Sequence, residues 1–338
     1  MSRRSAGIIG AVLAIAAAGT LTGHTTADAQ VAAAPPGGPL VGAYSFPRGG
    51  ETMQQAAERL ERDLGAKLPV IRDYSTFGKS FDVPFHRWAV DGGRTMLISF
   101  KARRVNGTDL SWRSIADAAP GSTIHNEILA MADSAKAIQA PMVLVFHHEP
   151  ESKANLGYGT STDFVDAWRR IVTDFRSRGV TNVKWAWTMT SWSFSVKPTD
   201  RRASDKWYPG DDYVDYIGAD PYNWNQCRGY AQETWRSLAQ LIAPMMTFAA
   251  KHPTKKLALP EFGSAEGAPG DKAAWLADAA TLLKTSPYAE KFAVVTYFHN
   301  EHLGTPACAW WLDSSPATMA AAGALVSDST FRNTGALA

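Results

Sequence analysis

Two glutamates stand where short apolar runs end. The first closes Val143-Leu144-Val145-Phe146-His147-His148-Glu149, and the second closes Leu257-Ala258-Leu259-Pro260-Glu261. A carboxyl at the end of a buried strand is rigidly held and partly shielded from water. Two that face each other can divide the work of cleaving a glycosidic bond: one protonates the leaving oxygen while the other attacks the anomeric carbon. Glu149 and Glu261 are therefore the candidate catalytic pair.

Other residues near the same strand ends invite further chemistry. His147, His148 and Glu149, together with His299 and His302, are of metal-ligating types. Adjacent residues in a strand point to opposite faces, so His147 and His148 are not expected to share an ion. Neither a metal nor a cofactor is expected. The chain has 12 tryptophans, and Trp187, Trp192, Trp207, Trp224, Trp310 and Trp311 fall at strand ends or in the loops beyond them. Indoles stack on the apolar C–H faces of sugar rings, although packing between loops and helices accounts equally well for any one of them. Arg72 and Lys101 are assigned to structural ion pairs ahead of contacts with hydroxyls in a cleft.

These side chains need a frame. Eight strand-like runs recur at Leu40–Ser45, Leu68–Asp73, Thr95–Phe100, Met142–His147, Val183–Thr188, Tyr213–Ala219, Lys256–Pro260 and Phe292–Phe298. Several are apolar almost throughout, as parallel strands covered on both sides are. Between them Phe164, Trp168, Ile171, Val172 and Phe175 share one helical face. So do Trp235, Leu238, Leu241, Ile242 and Met245, and earlier Met53, Ala57, Leu60 and Leu64. Helices after the second and fifth strands are poorly marked, because Gly, Pro and Asp crowd those stretches. The pattern predicts an α/β fold, a single-domain (β/α)8 TIM barrel. An open doubly wound sheet is the alternative, but no glycine-rich phosphate-binding turn follows the first strand. In a barrel the active site lies at the C-terminal strand ends, and the ends of strands four and seven face one another across the mouth.

The His148-Glu149 pair resembles glycoside hydrolase family 26, a family of (β/α)8 retaining glycosidases in which His replaces the Asn usual before the acid/base. Tyr208-Pro209-Gly210-Asp211-Asp212-Tyr213-Val214-Asp215 and Gly218-Ala219-Asp220-Pro221-Tyr222-Asn223 are similar to that family's approach to strand six and its exit. The resemblance spans most of the chain. It implies Glu149 as acid/base, Glu261 as nucleophile, His148 as a hydrogen-bond partner in the −1 subsite and Tyr222 as a hydroxyl near the nucleophile. It places a sugar platform at Tyr297 or Phe298, and Trp187 and Trp224 join the candidate substrate-binding residues. Where the family carries Met-Asn-Gly after the pair, this chain has Pro150-Glu151-Ser152. Burial and the charge of Glu261 would raise the pKa of Glu149, while hydrogen bonds from Tyr222 and His148 would keep Glu261 ionised. The implied activity is retaining endo-hydrolysis of a polysaccharide, β-1,4-mannan first, with β-1,3-xylan and mixed-linkage β-glucan as alternatives. A carbohydrate-binding barrel without turnover is the rival from another class.

Composition agrees with an exported enzyme acting on a neutral polymer. Arg3 and Arg4 precede an apolar run from Ile8 to Ala18, and Ala27-Asp28-Ala29 has the small-x-small form of a cleavage site. Residues 1–29 are thus expected to be a signal peptide, 30–39 a flexible lead-in and 40–338 the catalytic domain, secreted and monomeric. Loss of the leader lowers the formal charge of +2 by one. With no basic cluster among aromatics, neither nucleic acid nor membrane is an expected partner of the mature chain. The two cysteines, Cys227 and Cys308, have no zinc spacing and are expected to form a disulfide on the catalytic face.

Overall fold

Alternation within the apolar runs decides what fills the interior and what meets the helices. The computed structural model describes residues 37–268, 270–301 and 308–337. The expected leader, residues 30–36 of the lead-in and His302 lie outside them. The strands are β1 (Leu40–Ser45), β2 (Val70–Phe77), β3 (Thr95–Arg104), β4 (Met142–Phe146), β5 (Val183–Thr190), β6 (Tyr216–Asp220), β7 (Tyr222–Asn223), β8 (Lys256–Ser264) and β9 (Phe292–His299). All pairings between them are parallel. β1 lies between β2 and β9, and β6 pairs with β8, which closes the wall. The two-residue β7 rides on the end of β8 at Gly263 and Ser264. Eight strands therefore form a closed (β/α)8 barrel, and the open-sheet alternative is excluded.

Around the wall run α1 (Met53–Leu64), α2 (Pro84–Asp91), α3 (Trp112–Ala116), α4 (Thr123–Ile138), α5 (Ser161–Ser177), α6 (Leu238–Ala249), α7 (Asp271–Leu283), α8 (Tyr288–Lys291) and α9 (Pro316–Ser327). Hydroxyl side chains begin several of them. Thr52, Ser122, Thr160, Ser237 and Ser315 each accept a backbone N–H of the first turn, satisfying a donor the helix cannot pair internally. Because Ser237 caps α6, Trp235 lies outside that helix, contrary to the periodicity. Among the described residues no α-helix separates β5 from β6. Short 3-10 turns at Ser191–Phe194, Ser204–Lys206 and Asp211–Tyr213 stand there instead, and β6 starts at Tyr216 rather than at Tyr213.

The strands sort their side chains by parity. Val70, Leu97, Val143, Ala186, Tyr216, Ala258 and Val294 pack together inside the barrel with Leu337, whose carbonyl accepts the Tyr216 hydroxyl at 2.6 Å. The opposite parity, including Ile71, Ile98, Leu144, Trp185, Trp187, Leu259, Val295 and Tyr297, packs outward against the helices. Phe164, Trp168, Ile171, Val172 and Phe175 of α5 are all buried in this outer layer, each contributing about 1.5–3 kcal/mol of apolar burial. With the lower interior filled, only the C-terminal strand ends are left to hold polar groups.

Candidate active site

Parity carries β2 from Val70 to Arg72 and Tyr74 on the inward face, so both rise from the packed interior toward the mouth. Glu261 reaches the same place by a different device. The pairing of β8 with β9 slips between Leu259 and Phe262, and both of those residues face the helices. The extra residue between them turns Glu261 inward, a use of a bulge to re-aim a side chain. Its carboxylate is then held on both oxygens. Tyr74 Oη donates to Oε1 at 2.6 Å, Tyr222 Oη donates to Oε2 at 2.7 Å, and the fully buried Arg72 guanidinium lies 3.2 Å from Oε1. The expected contact from His148 is longer, with Nε2 at 3.8 Å from Oε1.

At the end of β4 the alternation breaks. His147 and Glu149 adopt φ of 48° and 50°, a left-handed conformation uncommon outside glycine. Surrounding bonds hold it. His147 is buried, and its Nδ1 accepts Trp112 Nε1–H at 2.9 Å and Ala102 N–H at 3.3 Å. The Glu149 N–H donates to Thr188 O at 2.9 Å, and Asn155 Nδ2 donates to Glu149 O at 2.8 Å. His147 thus points into the packing, whereas His148 and Glu149 line a cleft of about 980 Å³ with Asp220, Tyr222 and Glu261. The two histidines diverge, but not by strand alternation: β4 ends at Phe146, and the left-handed turn at His147 sends it into the packing and His148 into the cleft. His299 is buried, with Nδ1 accepting Leu312 N–H at 3.0 Å.

The electrostatics of the two glutamates run in opposite directions. Burial, then the charges of Glu261 and Glu151, push the Glu149 pKa well above the ordinary carboxylate range, against a smaller opposing effect of Lys101. Burial alone would raise Glu261 too, but His148, Arg72 and the hydroxyls of Tyr74 and Tyr222 outweigh it and hold Glu261 below the ordinary value. Burial also lowers His148 to about 4, so its charge acts on Glu261 mainly at acid pH. A third carboxyl, Asp220, is buried and accepts the Glu261 N–H at 3.0 Å. Burial and its two acidic neighbours, Glu261 and Glu149, raise it well above its ordinary value. A raised Glu149 and a lowered Glu261 in one cleft are shifted in the directions that acid-assisted nucleophilic displacement requires.

Several sequence-predicted positions move. Trp187 lies outside the cleft: its outward parity buries it against Tyr208 and Phe248, with ring centroids 5.0 and 5.7 Å away. Tyr297 has the same parity on β9 and packs edge-on against Phe262 at 5.2 Å, among Leu276, Leu312 and Leu325. Phe298, one residue on, is the strand-end aromatic that lines the cleft, stacked on Tyr44 at 5.3 Å. Trp224 and Trp310 line it as well, their rings edge to face at 5.0 Å, and the Arg228 guanidinium lies 3.7 Å above Trp224. Trp207 is buried and donates Nε1–H to Arg201 O, whereas Trp192 stands 47% exposed at the rim. Arg72 is an ion-pair residue as expected, but its partner is Glu261. Cys227 and Cys308 are disulfide-bonded, with Cα atoms 5.1 Å apart, and join the loops that carry Trp224 and Trp310. Tyr74 and Asp220 were not assigned roles from sequence.

The family model described as Glycosyl hydrolase family 26 matches residues 102–280. Among curated proteins, Endoglucanase H of Acetivibrio thermocellus is 27% identical over 285 residues, 81% of this chain, and the chain spans 29% of that relative's length. Many solved structures share the fold, among them the following three. The catalytic domain of the Bacillus sp. JAMB-750 GH26 endo-β-1,4-mannanase has a TM-score of 0.60 at 16% identity, covering 89% of each chain. A Cellulomonas fimi endo-β-1,4-mannanase double mutant has a TM-score of 0.59 at 20% identity, covering 89% of this chain and 74% of that one. A GH26 β-mannanase from Bacteroides ovatus has a TM-score of 0.57 at 19% identity, covering 87% and 90%.

Proposed function

Because the chain belongs to glycosyl hydrolase family 26, we propose that it is a retaining endo-β-glycosidase acting on a polysaccharide, with Glu149 as acid/base and Glu261 as nucleophile. The observation that carries this reading is the opposed electrostatics of the pair. Glu149 stays protonated and can give its proton to the glycosidic oxygen, while Glu261 stays ionised and attacks C1. Formation of the glycosyl-enzyme removes the charge on Glu261, which lowers the pKa of Glu149 and lets it serve as base toward water. Tyr74 and Tyr222 hold the two carboxylate oxygens of Glu261 and fix the direction of attack. Phe298, Trp224 and Trp310 offer faces for sugar rings.

β-1,4-Mannan is the first substrate, supported by the mannanases among the structures that share this fold. A β-glucan is the second, favoured by the higher identity to Endoglucanase H. Export to an oxidising compartment is part of the proposal, supported by the Cys227–Cys308 bridge and by the leader-like residues 1–29. The test is hydrolysis of β-1,4-mannan, β-1,3-xylan and mixed-linkage β-glucan by the purified mature protein, with the anomer of the first product read by NMR. Cleavage releasing the β-anomer first is expected. Release of the α-anomer overturns the retaining mechanism, and failure on all three polymers overturns the activity.

A further inference from the structure

Glu151 lies two residues beyond Glu149, in the segment where this chain departs from the family pattern, and it is 1% exposed. Its two oxygens are treated differently. Oε1 accepts Thr190 N–H at 2.9 Å, the Thr190 hydroxyl at 2.6 Å and the Ser193 hydroxyl. Oε2 is buried without a hydrogen-bond partner, on a side chain that lines the cleft. An unpaired buried oxygen is costly, and a carboxyl serving only to tie the β4 and β5 loops together would not need one.

Trp192, on the turn that follows Thr190, borders the same part of the cleft and is 47% exposed. The Arg202 guanidinium lies 4.2 Å from the centre of its ring and is clamped in turn by Asp200 at 3.0 and 2.9 Å. One face of the indole is thereby braced, and both side chains line the cleft. A braced aromatic platform beside an unpaired carboxyl oxygen suits a sugar ring, which brings an apolar face and a hydroxyl together. A hydroxyl also satisfies Oε2 in either charge state, donating to a carboxylate or accepting from a carboxylic acid.

The side of the cleft follows from the chemistry. A general acid protonates the oxygen that departs, so the leaving sugar passes beside Glu149 and the loop it stands on. We propose that Glu151, Trp192 and Arg202 form a leaving-group subsite that takes an uncharged pyranose ring of the departing chain. The assignment rests on Glu149 being the acid/base.

The experiment compares each substrate's kcat/KM for Trp192→Ala, Glu151→Gln and the unaltered protein. The substrates are the pentasaccharides of β-1,4-mannan, β-1,3-xylan and mixed-linkage β-glucan, and the 2,4-dinitrophenyl glycosides of the matching disaccharides, whose leaving group carries no sugar. Trp192 is exposed, so its truncation keeps the fold even where Glu151→Gln loosens the loops. For the pentasaccharide that is cleaved, the ratio of its kcat/KM to that of the aryl glycoside is expected to fall by about tenfold or more in both variants through KM; a fall through kcat alone in Glu151→Gln reports the charge lost beside Glu149 and overturns the role of Glu151. An unchanged ratio overturns the subsite and leaves the proposed activity standing, whereas wild-type cleavage of aryl glycosides alone overturns both the subsite and the action on these polymers. Failure of the wild type on every substrate, with no calorimetric binding of the pentasaccharides to Glu261→Ala, overturns both.

Discussion

Replacing Tyr74 by Phe removes one hydrogen bond and almost nothing else, because the ring stays in place against Tyr44, His148 and Phe298. The bond lost is the 2.6 Å contact to Glu261 Oε1. A hydrogen bond to a charged group contributes about 1.5–3 kcal/mol. At about 1.4 kcal/mol per pKa unit, its loss raises the Glu261 pKa by about one to two units, with Tyr222 and Arg72 still in place. Nucleophilic attack needs the ionised carboxylate, so the acidic limb of the kcat/KM profile should move up by that amount. The direction for stability follows from the same shift. A carboxyl held below its ordinary value stabilises the fold above its unfolded pKa, and that contribution disappears as pH falls through the folded pKa. Tyr74→Phe should therefore have a lower Tm at pH 7, and the gap from wild type should narrow as pH falls through the folded pKa of Glu261. The assay is a pH–rate series on an aryl glycoside with parallel melting curves. An acidic limb that stays in place while the plateau rate falls would refute the argument that Tyr74 acts on the charge of Glu261.

Three further outcomes follow from the same geometry. Glu149→Ala should keep far more activity on an activated aryl glycoside than on polysaccharide, with azide restoring turnover, whereas Glu261→Ala should lose both; equal losses without an azide effect count against the assigned roles. Cys227→Ser opens a loop of 81 residues and should cost about 4–5 kcal/mol in urea unfolding, whereas an unchanged midpoint means packing holds the two loops. Trp187→Ala should destabilise the fold by about 3–5 kcal/mol, as large core truncations do, while Trp224→Ala should mainly lower turnover of polysaccharide; the reverse pattern would return Trp187 to the cleft.

The eight barrel strands and the ends that matter were legible because parallel strands are written as unbroken apolar runs, and Glu149 and Glu261 each follow one. What escaped was orientation. Trp187 and Tyr297 sit at strand ends like the other candidates, and only knowing which parity fills the barrel shows that both face the helices. Val294 on β9 and Ala186 on β5 mark the inward parity, but an inward Val and an outward Val look alike in a run apolar on both faces. Glu261 defeats parity altogether, since the slip in β8 that turns it inward leaves no mark beyond Pro260. Tyr74 was lost at a boundary. The second apolar run stops at Asp73, yet β2 continues to Phe77, and carrying the alternation on from Arg72 would have found Tyr74. The helix missing between β5 and β6 was visible as crowding by Gly, Pro and Asp, the residues that favour turns.

The central claim is that Glu261 forms a covalent bond to the sugar, and trapping that bond tests it most directly. Incubation with 2-deoxy-2-fluoro aryl glycosides of mannose and glucose, followed by proteolysis and mass spectrometry, should place one sugar on the peptide containing Glu261. The fluorine slows both steps by destabilising positive charge in the transition state, while the activated leaving group lets the first step outrun the second. Glu261→Gln should carry no label. A sugar found on Glu149 or elsewhere, or no label on an enzyme that releases the α-anomer first, would contradict the account.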